Sequence, residues 1–446
     1  MKKKIILTLA GIFCWAALAS ANNVAVSAVV LQNKNLGAGT VEVKFDLTQD
    51  NSFSGSDGNS AAFYDKIWIF VKYWVDGTNS ESTGWSHAKL VSGGTLTPTS
   101  DGLGAFASTG ANQVVKWNYG SGGNGISGNA TIKVKVCAIE MVYIPTGNFI
   151  YNVAGLGTNT FNNYNSGSQA TISGAVTALG TGTNNGPLDC AIGWPNGYNA
   201  FYIGKYEVSQ GQYADFLNML SAADATSRFP NLSANRNTVI YNSGLAYGSR
   251  YSATSPNRAM NQTMWDDLRA YLSWAALRPL TEMEFEKAAR GGGTTAKIYP
   301  WGDAAPSTTV YTFDGASFSK FYANYNNTST GPSNVGHYLS GDVTPARSSA
   351  ETGASVYGVT DIAGNNWEHL INCAWLKVPD NGNGTTSWPA SSTATGWPDA
   401  ASGKGLWGGV WYGGSTNLRV SDRFLAGYSV ATRSGSYGFR PARTAE

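Results

Sequence analysis

Apolar and polar residues alternate strictly in VEVKFDL (41–47), with Val41, Val43, Phe45 and Leu47 on one side and Glu42, Lys44 and Asp46 on the other. That period of two is the pattern of a strand with one buried and one wet face. KIWIFVKYWV (66–75) is β-branched and aromatic almost throughout, as expected of a central strand covered on both faces. VVKWNY (114–119) and ATIKVKVCAI (130–139) add two more such runs, and Gly, Asn and Ser clusters at 52–60, 77–84 and 120–129 separate them. Residues 22–138 are therefore expected to form a β-sandwich-like module.

Helical periodicity appears only after Ala138. SQGQYADFLNML (209–220) opens with Ser209 and Gln212, the spacing of a capping box, and places Tyr213, Phe216, Leu217 and Leu220 on one face. TMWDDLRAYLSWAAL (263–277) predicts a second helix, and TEMEFEKAARG (281–291) a third, with Thr281 and Glu284 as another capping box and Gly291 as its stop. The Gly/Thr/Asn-rich stretch 151–199 reads as a loop insertion, and Trp- and Gly-rich loops run from the third helix to the end. The expected organisation is a loop-rich α+β domain over 139–446 behind the β-module.

The first residues change the picture of where the chain works. Lys2, Lys3 and Lys4 precede an apolar stretch from Ile5 to Leu18, and Ala19-Ser20-Ala21 follows. This is a signal-peptide pattern over 1–21, too short to span a bilayer, so the mature chain is expected to be exported and to begin at Asn22. Bulky Ile12 and Phe13 before Cys14 argue against a lipoprotein. No later run is apolar enough for a transmembrane segment. Charged residues make up 13% of the chain with a formal net charge of +2, so no electrostatic case exists for nucleic acid. Beyond Cys14 the cysteines are Cys137, Cys190 and Cys373, an odd set whose spacing matches no zinc pattern and leaves any pairing open.

Six segments in order carry a family resemblance. They are MVYIPTGNF (141–149), FYIGKYEVSQGQYADFL (201–217), RPLTEMEFEKAARGG (278–292), YPWGD (299–303), YGVTDIAGNNWEHL (357–370) and the closing GGVWYGGSTNLRVSDRFLAGYSVATRSGSYGFRPAR (408–443). Together they resemble the formylglycine-generating-enzyme, or sulfatase-modifying-factor, family, whose domain has a C-type-lectin-like fold. The resemblance covers 139–446. Gly408, Gly409 and Gly438, the arginines Arg290, Arg419, Arg423 and Arg440, and Trp301 and Trp367 read as scaffold, the arginines as forked donors for loop carbonyls.

The resemblance implies an oxidase that holds copper between two cysteines. Aligned on Gly408-Gly409, those positions are Gly413 and Leu418 here, so no copper is expected. Histidine-bound iron would have to use His87, His337 and His369, and no G-x-S-x-G elbow presents a nucleophilic serine. What the resemblance does imply is structural Ca²⁺ held by Asp361, the carbonyls of Gly364 and Asn366, and Glu368, an all-oxygen set suited to a hard cation. Asn324 and Tyr325 resemble the start of a second calcium loop, without an evident acidic ligand downstream. The same fold and closing segment recur in retroelement-diversified binding proteins. Comparable variable places here are Trp411, Tyr412, Gly413, Ser415, Thr416, Asp422, Phe424 and Tyr428, residue types of adaptable contact surfaces. The expected function is recognition of a protein or glycan ligand without catalysis. Alternatives are a structural part of a bacterial envelope, motility or secretion machine, and a formylglycine-generating-type oxidase.

Overall fold

The computed structural model describes residues 24–151, 170–175, 193–230, 233–306, 310–313, 316–319, 323–326, 331–336, 353–373, 375, 377–387, 396–399, 403–428 and 431–446. The expected signal peptide, Cys190, His337 and most of the expected 151–199 insertion lie outside them. Among the described residues the chain is mostly β with four α-helices.

The alternating segment forms the Thr40–Thr48 strand, which pairs antiparallel with Ala25–Asn35 on one side and Gly110–Asn118 on the other, Val43 standing opposite Leu31 and Val115. Its apolar side (Val41, Val43, Phe45, Leu47) joins Val115 and Trp117 against Ile67, Ile69, Val71 and Tyr73 of the Ala62–Val75 strand. Two sheets thus face each other across one apolar layer.

The second sheet belongs to both halves of the molecule. Ala62–Val75 pairs antiparallel with Ile132–Ile144 from Tyr64 opposite Tyr143 to Val75 opposite Ile132. The latter strand runs without a break through the 138/139 junction expected from the change in sequence texture. Its far end pairs with Phe201–Gly204, which pairs with Pro441–Thr444, which in turn meets Arg278–Pro279. The other face of Ala62–Val75 (Trp68, Phe70, Lys72) therefore packs on the C-terminal half. Trp68 Nε1 donates to the Ala275 carbonyl at 2.8 Å, and the fully buried Lys72 ammonium donates to the carbonyls of Trp274 and Gly384 at 2.7 Å each. Arg443 lies 4.3 Å from the Trp68 ring centroid, a cation–π contact.

Helices α1 (Gln210–Leu217), α2 (Ala222–Arg228), α3 (Trp265–Trp274) and α4 (Glu282–Arg290) lie in the C-terminal half. Both capping boxes form: the Ser209 hydroxyl accepts from the Gln212 N–H and the Thr281 hydroxyl from the Glu284 N–H, with the Gln212 and Glu284 side chains returning the contact. Gly291 ends α4 at a φ of 97° that a β-carbon would strain. Tyr213, Phe216, Leu217 and Leu220 enter one large core with Leu268, Tyr271 and Trp274 of α3. Cys137 is half-buried, Cys373 buried. No helix among the described residues is long and apolar enough to cross a membrane.

Candidate functional site

The closing loops sit on a three-stranded sheet in which Trp367–Ile371 pairs antiparallel with Lys404–Trp407 and parallel with Tyr437–Gly438. Past Trp407 the chain turns sharply through Gly408 and Gly409, both at positive φ; a β-carbon on Gly409 would stand 2.9 Å from the Asn417 carbonyl oxygen. The turn delivers Trp411 and Tyr412, whose rings meet edge-to-face at 4.7 Å, ahead of a 3-10 turn over Ser415–Leu418. Tyr412 and Phe424 are each 54% exposed and Tyr428 is 40% exposed. Ser415 and Thr416 are exposed, and Trp411 and Gly413 half-buried. Asp422 does not share that surface: it is buried and accepts from Asn417 Nδ2 at 3.0 Å.

The sequence pattern did not mark Tyr437, which meets Tyr428 edge-on at 6.2 Å and lies in the electrostatic reach of Tyr412. It sits in the Y-G-F-R run, where scaffold and surface roles look alike in sequence. Beneath it, His369 is enclosed between the rings of Trp265 and Tyr437, and burial, reinforced by Lys404, pulls its pKa down to about 3. It is neutral at any physiological pH. Leu418 is buried with Tyr299, Trp301, Tyr325 and Ala363, while the Gly413 carbonyl accepts the Asn326 N–H at 2.9 Å.

The Asp361–Glu368 loop lies below this face. Glu368 is fully buried and meets Arg440 in a two-pronged pair, Nε to Oε2 at 2.6 Å and Nη2 to Oε1 at 2.5 Å. Arg440 spends its remaining donors on the carbonyls of Gly204 and Thr360, and Arg290 likewise caps the carbonyls of Ile150 and Lys297, the loop-bracing role such a fork is suited to. Arg423 instead pairs with Glu282, and Arg419 is half-buried with an unpaired Nε. Asp361 accepts the Gly336 N–H at 2.7 Å, and burial raises its pKa to about 6. Gly364 is required here: a β-carbon would fall 2.5 Å from the Asn324 carbonyl oxygen.

Two acids were not legible as site residues. Glu207 is buried with Oε1 unpartnered, and its pKa is raised by burial and then by the charges of Glu368 and Asp361; its other oxygen accepts from Asn365. Three buried carboxylates thus share one guanidinium, and Asn366 Oδ1 is also buried without a partner. The excess negative charge suits a hard cation, but both Glu368 oxygens are engaged by Arg440, and the unpartnered acceptors are Glu207 Oε1 and Asn366 Oδ1. Among the described residues no three His, Cys, Asp or Glu side chains converge to hold a metal, so backbone carbonyls would have to complete any coordination sphere. Glu140, on the Ile132–Ile144 strand, lies beside the buried Lys205–Asp65 pair (2.6 Å), and burial pushes its pKa up to about 8.

Comparison with known proteins agrees with the ordered motifs. The sulfatase-modifying factor enzyme 1-like domain matches residues 133–445, beginning inside the strand shared by the two halves. A formylglycine-generating enzyme of Thermomonospora curvata is 48% identical over 48 residues, 11% of this chain and 16% of that protein. The corresponding enzyme of Streptomyces coelicolor is 44% identical over 57 residues, 13% and 18% of the two chains. A hercynine oxygenase of Mycolicibacterium thermoresistibile is 31% identical over 126 residues, 28% of this chain and 22% of that protein. Each match spans less than a quarter of the relative's own length. With the family domain covering well over half of its residues, this chain belongs to the sulfatase-modifying-factor, or formylglycine-generating-enzyme, family.

Proposed function

We propose that the chain is an exported, non-catalytic member of its family that recognises a protein or glycan ligand through the closing-loop face. The observation that carries this reading is the pair of exposed rings Tyr412 and Tyr428, backed by Trp411 and Tyr437, with Phe424 exposed on the same closing segment. Large rings left in water on adjacent loops supply contact area at little cost in side-chain entropy. The resemblance places the family's copper-binding cysteines at Gly413 and Leu418 in the same segment, and neither side chain can ligate copper or cycle through a thiol. Ser415 and Thr416 extend the contact face, Tyr437 supports it as a buried ring behind Tyr428, and Asp422 supports it from below through Asn417. A C-type-lectin-like arrangement of the family domain belongs to the same proposal. So does structural calcium held by Asp361, the carbonyls of Gly364 and Asn366, and Glu368.

Loading the mature protein with Cu(I) and incubating it in oxygen with a C-x-P-x-R peptide is expected to leave the cysteine unchanged by mass spectrometry. Aldehyde formation beside an active control would overturn the non-catalytic reading. Cross-linking on the producing cell's surface should capture a ligand that the Tyr412→Ala/Phe424→Ala/Tyr428→Ala variant loses while melting at an unchanged temperature. Equal capture by that variant would remove the closing face from the function. Export predicts that the mature protein, sequenced from its N-terminus, begins at Asn22.

A further inference from the structure

A concavity lined by none of the closing-loop residues lies on the seam between the β-module and the family domain, with a volume of about 520 Å³. That is within the range of small-ligand sites, which commonly form where two structural units meet. Its walls include the turn around Trp85, the loop at Gly122–Asn124, the α1–α2 connection at Leu220–Ser221 and the loop at Asn383–Thr386, with Tyr73 and Trp274 from the Ala62–Val75 strand and α3. The aromatic surface is supplied by Tyr73, Trp85 and Trp274. Trp85 is half-buried, its backbone N–H donating to the Met219 carbonyl at 2.9 Å, with the Lys135 ammonium 5.4 Å from its ring centroid. Trp274 is 4% exposed, and its Nε1 is a buried donor with no hydrogen-bond partner. Buried indole N–H groups ordinarily find an acceptor, so this one is a vacancy in the hydrogen-bonding of the seam.

The polar lining is short and uncharged, with Ser86, Asn124, Ser221 and Thr385 among it. The ionised groups on the rim are Lys89 and Asp224, one of each sign. His87 also lines the space, but its Nε2 lies 2.7 Å from the Leu103 carbonyl, and burial followed by the Lys72 charge keeps the ring neutral. With Lys89 and Asp224 offsetting each other, the lining holds no cluster of cations for a phosphate or an acidic chain. The half-buried Trp85 ring set among hydroxyl and amide groups is instead complementary to a sugar, which has apolar C–H faces and a girdle of hydroxyls.

We infer that this seam cavity is a binding site for a short neutral saccharide, distinct from the closing-loop face. The saccharide packs against Trp85 and satisfies donors and acceptors on both halves of the molecule, so occupancy also ties the β-module to the family domain.

The test is isothermal titration of the full mature chain with maltotriose, cellotriose, N-acetylchitotriose and mannotriose, with trigalacturonate as the anionic control. At least one neutral probe is expected to bind one-to-one with a Kd of about 1 mM or tighter. Trp85→Ala and the cavity-filling Thr385→Trp should each weaken it about tenfold or more, in variants whose thermal melts confirm folding. The Tyr412→Ala/Phe424→Ala pair should leave it unchanged, which keeps this result separate from the fate of the closing-face proposal. Absence of saturable binding by every neutral probe, tighter binding of trigalacturonate, or indifference to both seam variants would each overturn the inference. Loss of binding in the closing-loop pair alone would reassign the sugar to the other face.

Discussion

Glu140 sits on a strand where both neighbours, Ile139 and Met141, are core residues, and neither of its carboxylate oxygens has a hydrogen-bond partner of good geometry. Burial raises its pKa from 4.5 to about 8, and the Lys205 charge, then Tyr206 and Gln49, only partly offset it. Below pH 4.5 the group is protonated in both folded and unfolded chains. Between 4.5 and about 8 only the unfolded chain gives up the proton, so stability falls as pH rises, and the full penalty is present above the folded value. That penalty is on the order of a few kcal/mol. Glu140→Gln removes it, so the variant's melting temperature should pull ahead of the parent's as pH climbs through that window. A constant offset across the range would show that the acid is not neutral in the fold. The Asp361–Glu368 loop, proposed above to hold calcium, gives a second residue-level expectation. Calcium should raise the melting temperature and a chelator should reverse it, whereas Glu368→Gln should abolish the response; a parent protein indifferent to calcium would remove the ion from the account.

At the scale of elements, α4 shows how a local signal becomes part of a long-range network. Thr281 accepts the Glu284 N–H at 3.2 Å and Glu284 accepts the Thr281 N–H at 3.1 Å, which is the capping box read from the sequence. The same Glu284 carboxylate also holds Arg278 in a fork at 2.8 and 2.6 Å, with both side chains buried. Thr281→Ala should therefore cost about 1 kcal/mol, the usual value of a cap. Glu284→Ala strands a buried guanidinium and should cost about 3–5 kcal/mol. Urea midpoints of the two variants measure the difference. Equal losses would mean that the Arg278 pair adds nothing beyond the cap.

The whole molecule is organised by the Ile132–Ile144 strand. Its partner Ala62–Val75 presents Ile67, Ile69, Val71 and Tyr73 to the β-module and Trp68, Phe70 and Lys72 to the family domain. Asp101 of the β-module meets Arg443 at 2.7 Å, and the Tyr357 hydroxyl donates to Asp57 at 2.9 Å. A fragment covering only 132–446 would bare a long strand edge and the surface that Trp68 covers, conditions that favour aggregation. We expect it to be insoluble, and limited proteolysis of the full chain to yield no stable fragment with that boundary. A soluble 132–446 fragment with a cooperative melt would show that the seam is dispensable.

What the sequence by itself determined is local. The alternation at 41–47, the doubly apolar run at 66–75, the two capping boxes and the stop at Gly291 are encoded in spacings of a few residues, and each appears where those spacings put it. The ordered motifs also carried the family, because they are long enough to be specific. The tertiary structure alone decided that one strand crosses the expected junction, since composition changes at Ala138 while the hydrogen-bond ladder does not. It also decided that Asp422 is buried although its neighbour Phe424 is exposed, that Tyr437 is buried behind the exposed Tyr428 ring, and that Glu207 and Glu140 are enclosed. Those outcomes depend on contacts between segments tens to hundreds of residues apart. Local periodicity carries no record of which distant segment will cover a side chain, and burial is what sets both its charge state and its availability to a ligand.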